Sequence, residues 1–237
     1  MRKLLYAFKP FLVEILNDLM MAACIIGPIF AGAAFKFLIP ELEEFLCQYY
    51  GKAAIITPYY AIFDMLIIVM TPIMFCFAGV MVVLEEMDCG VAKYYAVTPL
   101  GKGGYLVTRI VFPCIISFVY DMILLRIFSI SGMNLVMMLV LSFGGCLLAI
   151  LTALLVVTLA NNKMEGIAIV KLCGILILGI PIPYFVLTPL KYLFGFLPSF
   201  WMAKLCITNN YLCAIPMVIT AVFFIFLLYS RFRKKLL

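Results

Sequence analysis

The chain has 237 residues, 68% hydrophobic and only 12% charged. That is about half the charge of an ordinary soluble domain. A mean hydropathy of +1.25 excludes a water-soluble fold and a disordered chain alike. At about 20 apolar residues per membrane crossing, the length holds six spans joined by short loops. The net charge of +6 in such a chain bears on sidedness, not on nucleic acid, and no nucleic-acid partner is implied. There is no histidine, which removes the commonest metal ligand and proton shuttle. The nine cysteines are scattered without a C-x-x-C pair and read as free, buried, small apolar residues.

Residues 1–18 have the pattern of an amphipathic interfacial helix. Leu4, Phe8, Phe11, Ile15 and Leu19 recur at three- and four-residue steps, with Arg2, Lys9, Glu14 and Asp18 between them. A frayed start to the first span is the alternative. The same charges and Pro10 interrupt the apolar run a signal peptide needs, so no cleavage is expected. Span 1 covers about 19–39, with a small-residue ladder at Ala23, Gly27 and Ala31 that admits a closely packed neighbour. Residues 40–58 form a polar loop or short helix, carrying Glu41, Glu43 and Glu44 against Lys52. Span 2 covers about 60–84, with a kink expected at Thr71-Pro72.

Residues 85–104, EEMDCGVAKYYAVTPLGKGG, read as a short helix followed by a turn. Span 3 covers about 105–127 and is the least apolar, with Arg109, Asp121 and Arg126. Residues 127–160 carry no charge; Gly132 and Asn134 mark a turn, and span 4 covers about 135–160. A tight polar loop at 161–166 leads to span 5, about 167–188, whose second half is broken by Pro181, Pro183 and Pro189. Residues 190–209, semi-apolar and aromatic, suit a re-entrant or interfacial segment. Span 6 covers about 211–230 and ends in Arg231, Arg233, Lys234 and Lys235. The expected fold is therefore all-α: a polytopic membrane protein of six transmembrane helices, with an amphipathic N-terminal interfacial helix and a re-entrant segment before helix 6. Residues 1–237 form a single transmembrane domain in this reading.

With six spans both termini share a side. That side holds Arg2, Lys3, Lys9, Lys93, Lys102, Arg109, Lys163, Lys171 and the four terminal bases; the other holds Lys36, Lys52, Arg126, Lys191 and Lys204. The bias places both termini, and segment 85–104, in the cytoplasm of a multi-pass plasma-membrane protein. Asp121 lies roughly 24 Å above Tyr105 at helical rise, near the outer boundary of a core about 30 Å thick. Asp64 enters span 2 at the same level. Asp64, Asp121 and Arg126 are thus candidates for an outer gate or path, against a plainer reading as interfacial residues; Asp121 needs a partner or a proton. Cys47, Cys206 and Cys213 fall near the outer face, where oxidising conditions reach. A Cys47–Cys206 bridge is one option and free thiols the other.

No catalytic motif, metal-ligand cluster or P-loop is present. This reads as a transporter subunit, not an enzyme, with no cofactor bound by the chain itself. The pattern Glu85-Glu86-x-Asp88-x-Gly90, then Val97-Thr98-Pro99-Leu100 before a span led by Tyr105, resembles the first cytoplasmic loop of type 2 ATP-binding-cassette (ABC) exporter permeases. The resemblance extends to the amphipathic start, six spans and re-entrant segment. Lys163-x-Glu165-Gly166-x-Ala168 with Lys171 is similar to the matching turn of the smaller bacterial members. Met87 stands where a basic residue is often found, so no salt bridge from that position is implied.

The resemblance implies that Glu85, Glu86, Asp88, Gly90, Thr98 and Pro99 form a coupling element seated in a separate cassette ATPase, which would carry ATP and Mg. A homodimer or a pairing with a sister permease follows, with membrane lipid as surroundings. The implied activity is ATP-driven export of an amphiphilic drug, antimicrobial peptide or lipid-linked cargo by alternating access. The competing readings are a secondary transporter without an ATPase and a non-transporting assembly or sensor subunit. Pro72 in span 2 and Pro181 in span 5 are a hint of an inverted repeat in favour of the first.

Overall fold

The computed structural model describes residues 19–90, 104–105 and 107–235. The helix expected over 1–18, and Thr98 and Pro99, lie outside the described residues. The described elements are helical: α1 (Leu19–Tyr50), α2 (Tyr60–Asp88), α3 (Phe112–Phe128), α4 (Leu135–Leu159), α5 (Lys163–Cys173), α6 (Ile182–Phe185), α7 (Pro198–Thr208) and α8 (Ala214–Lys235). Among the described residues six stretches are long and apolar enough to cross a membrane: Ala22–Tyr50, Thr57–Asp88, Val107–Phe128, Leu135–Leu159, Lys163–Phe185 and Tyr211–Phe232.

The bundle is organised around α2 and α4, which make its most extensive helix contact. Each buries 72% of its span window inside the bundle, against 17% for α1 and for α8, so the first two are central and the last two face outward. Between apolar helices in lipid there is no hydrophobic driving force, and close van der Waals packing does the work. The closest approach has a local cause. Pro72 lies within α2 and supplies no N–H, so the carbonyl of Ile68, four residues earlier, loses its helical donor. A Cβ on Gly145 of α4 would sit 2.5 Å from that oxygen. Only glycine admits the approach. Gly144 next to it turns to Met217 of α8 and Met202 of α7. α2 runs from Tyr60 to Asp88 without interruption despite Pro72, and Thr71 Oγ1 donates to the Ile67 carbonyl at 2.9 Å.

α1 runs on to Tyr50, through Pro28 and Pro40, where the sequence suggested an end near residue 39. Its last turns project the acids away from the bundle except Glu43, which is buried. Glu43 accepts from the backbone N–H groups of Ile55 at 2.9 Å and Ile56 at 2.6 Å, and from Thr57 Oγ1 at 2.7 Å. The carboxylate thereby holds the return loop against the helix it leaves. The Ala23–Gly27–Ala31 ladder is an internal contact: a Cβ on Gly27 would lie 3.3 Å from Met74 Sδ of α2. Tyr120 of α3 donates to the Ile25 carbonyl at 3.0 Å, and Lys36 donates to the Ile127 carbonyl. Both ties hold α1 beside α3.

The fifth span is broken as the prolines suggest. α5 gives way to a 3-10 segment at Gly174–Gly179 and then to α6. A further 3-10 turn, Pro189–Phe194, precedes α7. α7 has 11 residues, roughly 16 Å at helical rise, too short to cross the core. It is nonetheless deeply packed, with Phe200, Met202, Ala203 and Leu205 fully buried, and it ends at Asn209 in the left-handed region, φ 50°. All nine cysteines are free thiols, Cys47 and Cys206 among them, so the bridge considered between those two is not formed.

Gly145→Ala should force α2 and α4 apart and cost about 1–3 kcal/mol, the usual penalty for overpacking. A lowered thermal transition in detergent would report it. Gly174→Ala, where an added Cβ meets nothing within 4 Å, should leave the transition unchanged.

Candidate functional site

The acidic end of α2 is built into a network, not displayed on a loop. Glu86 is buried within the bundle, whereas the resemblance implies a residue seated in a separate ATPase. Its carboxylate accepts from Tyr105 Oη at 2.6 Å and from Arg109 Nε at 3.3 Å, and forms an ion pair with the Arg109 guanidinium. Arg109 is 4% exposed and Tyr105 2%, so the pair is withdrawn from solvent. A buried charge pair is tolerated only when the remaining donors and acceptors are also met; the phenol supplies one such donor.

Arg109 lies in a π-helical turn, Val107–Val111, directly before α3. The wide turn has a cause in Pro113, at the start of α3. A proline in a regular helix would clash with the carbonyl four residues earlier, here that of Arg109, and the looser turn avoids the clash.

Two further ties hold the same end of α2. Lys163 Nζ lies 2.8 Å from Glu85 Oε2, and the Lys163 backbone N–H donates to Asp88 Oδ2 at 3.2 Å. Lys163 opens α5, capped by Asn162, whose side chain accepts from Glu165 N at 2.8 Å, while Glu165 Oε2 accepts from Asn161 N at 2.8 Å. This is the reciprocal pattern that starts helices. Gly90 follows in the left-handed region, φ 72°, where a side chain would be strained. Of the coupling candidates, then, Glu85, Glu86 and Asp88 converge on one end of the bundle, and Gly90 follows them at positive φ. Glu86 and Arg109 bracket the intervening segment, so its two ends are locked together. Tyr105, Arg109 and Lys163 are the partners that sequence reading did not assign. The available signal was an arginine within a membrane span, since an ionisable group there requires a counter-charge.

The outer candidates do not form one cluster. Asp64 is fully buried and accepts from Ser129 Oγ at 2.6 Å, from the backbone N–H groups of Ile130 and Ser131 at 3.1 Å each, and from Ser131 Oγ. It holds the turn between α3 and α4. Asp121 is also fully buried, hydrogen-bonded by Ser142 of α4, and its Oδ1 has no hydrogen-bond partner among the described residues. Arg126 is exposed. Among the described residues no group of His, Cys, Asp or Glu could hold a metal ion.

Six membrane-length helices, one end of which is pinned by buried and interfacial charge, define a polytopic membrane protein with a braced polar face. Residues 11–232 match the family described as "Fluoroquinolones export permease protein Rv2686c-like", and the chain belongs to that family. It is an exporter permease, in keeping with its likeness to the small bacterial ABC exporter permeases. Similar curated proteins are the fluoroquinolones export permease proteins MT2760 and Rv2686c of Mycobacterium tuberculosis, strains CDC 1551 / Oshkosh and ATCC 25618 / H37Rv. Each is 28% identical over 191 residues, covering 79% of this chain and 75% of the relative. No solved structure matches the chain.

Replacing Glu86 by Gln removes the charge facing buried Arg109 and should cost about 3–5 kcal/mol. Replacing both, E86Q with R109M, should restore much of that loss, since no charge is then left buried. Thermal unfolding of the three proteins in the same detergent checks the order.

Proposed function

We propose that this chain is the membrane subunit of an ATP-driven exporter of amphiphilic drugs of the fluoroquinolone kind. It works as a dimer, with itself or a sister permease, in the plasma membrane with both termini cytoplasmic. A separate cassette ATPase, which binds ATP and Mg, docks on segment 85–104. The observation that carries the reading is the bracing of that segment. Its entry and exit are joined by Glu86 and Arg109, and its entry is tied to the start of α5 through Lys163. A push on the segment therefore moves α2, α3 and α5 together and is not lost in a slack loop.

ATP binding on the partner would shift the bundle between inward- and outward-open populations by this lever. Segment 190–209 dips into the outer leaflet in this reading, which suits the half-length α7. Asp121 remains a candidate on the path. The relatives' names support the drug cargo, and the family match supports the permease role.

A secondary transporter is the second reading. It is favoured by buried Asp121, whose free carboxylate oxygen would suit coupling to a proton. Isolation of the carboxyl-terminally tagged chain from native membranes separates the two. The first reading expects a stoichiometric P-loop subunit; a dimer without any ATPase overturns it. Glycines in place of Thr98 and Pro99 should lower drug export about tenfold, within the range of inter-site coupling energies, while the ATPase stays bound. Unchanged export would remove the segment from the coupling path.

A further inference from the structure

Between α1, α2 and α5 lies a partly open groove of about 390 Å³. Its wall is apolar and pliable: Cys24, Met70, Met74, Phe77 and Val170 line it, and Lys171 stands among them. Three other grooves, of about 200, 330 and 230 Å³, are lined without any charged residue. Lys171 thus distinguishes this groove.

Lys171 is exposed on the bundle surface and has no anionic partner among the described residues. It stands eight residues into α5 from Lys163, roughly 12 Å along the helix. The two lysines differ in their surroundings: Lys163 meets Glu85 and Asp88 at the polar end, while Lys171 stands among the apolar side chains of the groove. An ammonium at that depth is costly unless it reaches the interface or meets an anion. The groove supplies a place where an anion attached to an apolar body would meet it.

We infer that this groove is a lateral binding site for membrane-dissolved cargo of one chemical class: a flat apolar or aromatic body bearing a single anionic group, the anion pairing with Lys171. Methionine thioethers adapt to variously shaped apolar surfaces, and Phe77 adds an aromatic ring to the lining. A wall of this kind suits a varied cargo better than one resident lipid. The site rests on the drug-export reading and adds to it a ligand charge and a route of entry, from the leaflet on the side of Glu85 and Lys163.

The test uses the full chain in phosphatidylcholine nanodiscs and flumequine, a fluorescent fluoroquinolone with a carboxylate and no amine, beside its neutral methyl ester. Lys171→Gln should weaken flumequine binding about tenfold, the value of one charge-assisted contact, and Lys171→Arg should retain most of it. The ester should bind the wild type as weakly as flumequine binds the Gln variant. Ile73 also lines the groove, and Ile73→Trp, which fills it, should weaken both compounds, with the thermal transition as the check on folding.

Equal affinity of acid and ester for the wild type, or binding unaffected by K171Q, overturns the inference. So does a tightly held phosphatidylglycerol, seen by native mass spectrometry on wild type but not on K171Q and excluding flumequine; the anion is then a resident lipid. The drug-export reading fails separately, if cells expressing the chain with its neighbours export no fluoroquinolone while the purified chain binds flumequine through Lys171.

Discussion

The carbonyl of Ile68 is where the bundle is pinned together. Pro72 deprives it of its helical donor, and Gly145 lets α4 come against it. In lipid, apolar helices gain nothing by hiding from their surroundings, so close backbone approach substitutes for the hydrophobic effect. Beside this approach Gly144 admits Met217 of α8 and Met202 of α7 against α4, and α3 packs against both members of the central pair. α1 is held at the periphery by contacts at Met74, Ile25 and Ile127 and contributes little to the buried interior.

A second rule governs the ends of the helices. Backbone groups at chain reversals have no helical partner, and near hydrocarbon they cannot count on water. Three carboxylates resolve this. Glu43 collects the N–H groups of residues 55 and 56, Asp64 those of 130 and 131, and Asp88 that of Lys163. Glu86 differs, because it meets a charged side chain and a phenol instead of backbone. That difference makes it a brace between two spans and not a clasp on a turn. The pair fixes the end of α2 against the turn that leads into α3.

Much of the candidate site was legible in the sequence. The acids at 85, 86 and 88 and the glycine at 90 stood out because charge is rare in this chain. Their division of labour was not legible. Nothing in the spacing of Glu85 and Glu86 tells which faces Lys163 at the rim and which turns inward to Arg109; that is decided by the azimuth of α2 against the π-turn and α5. Asp64 and Asp121 shared a level on paper, yet one clasps the α3–α4 turn and the other contacts Ser142 within the bundle. Helical rise gives depth along an axis and says nothing of the angle around it.

The sequence by itself determined that the chain lives in a membrane and is helical. It also located the six spans and the weakness of the fifth, because an apolar solvent demands internally satisfied backbone and proline cannot supply it. Only tertiary structure decided that α1 extends to Tyr50, where Glu43 folds the following loop back onto it. It likewise decided that Pro72 marks a contact in a continuous helix, and that an apparently exposed glutamate is buried. Each of these depends on what lies opposite a residue in space, and composition and period carry no information about partners distant in the chain.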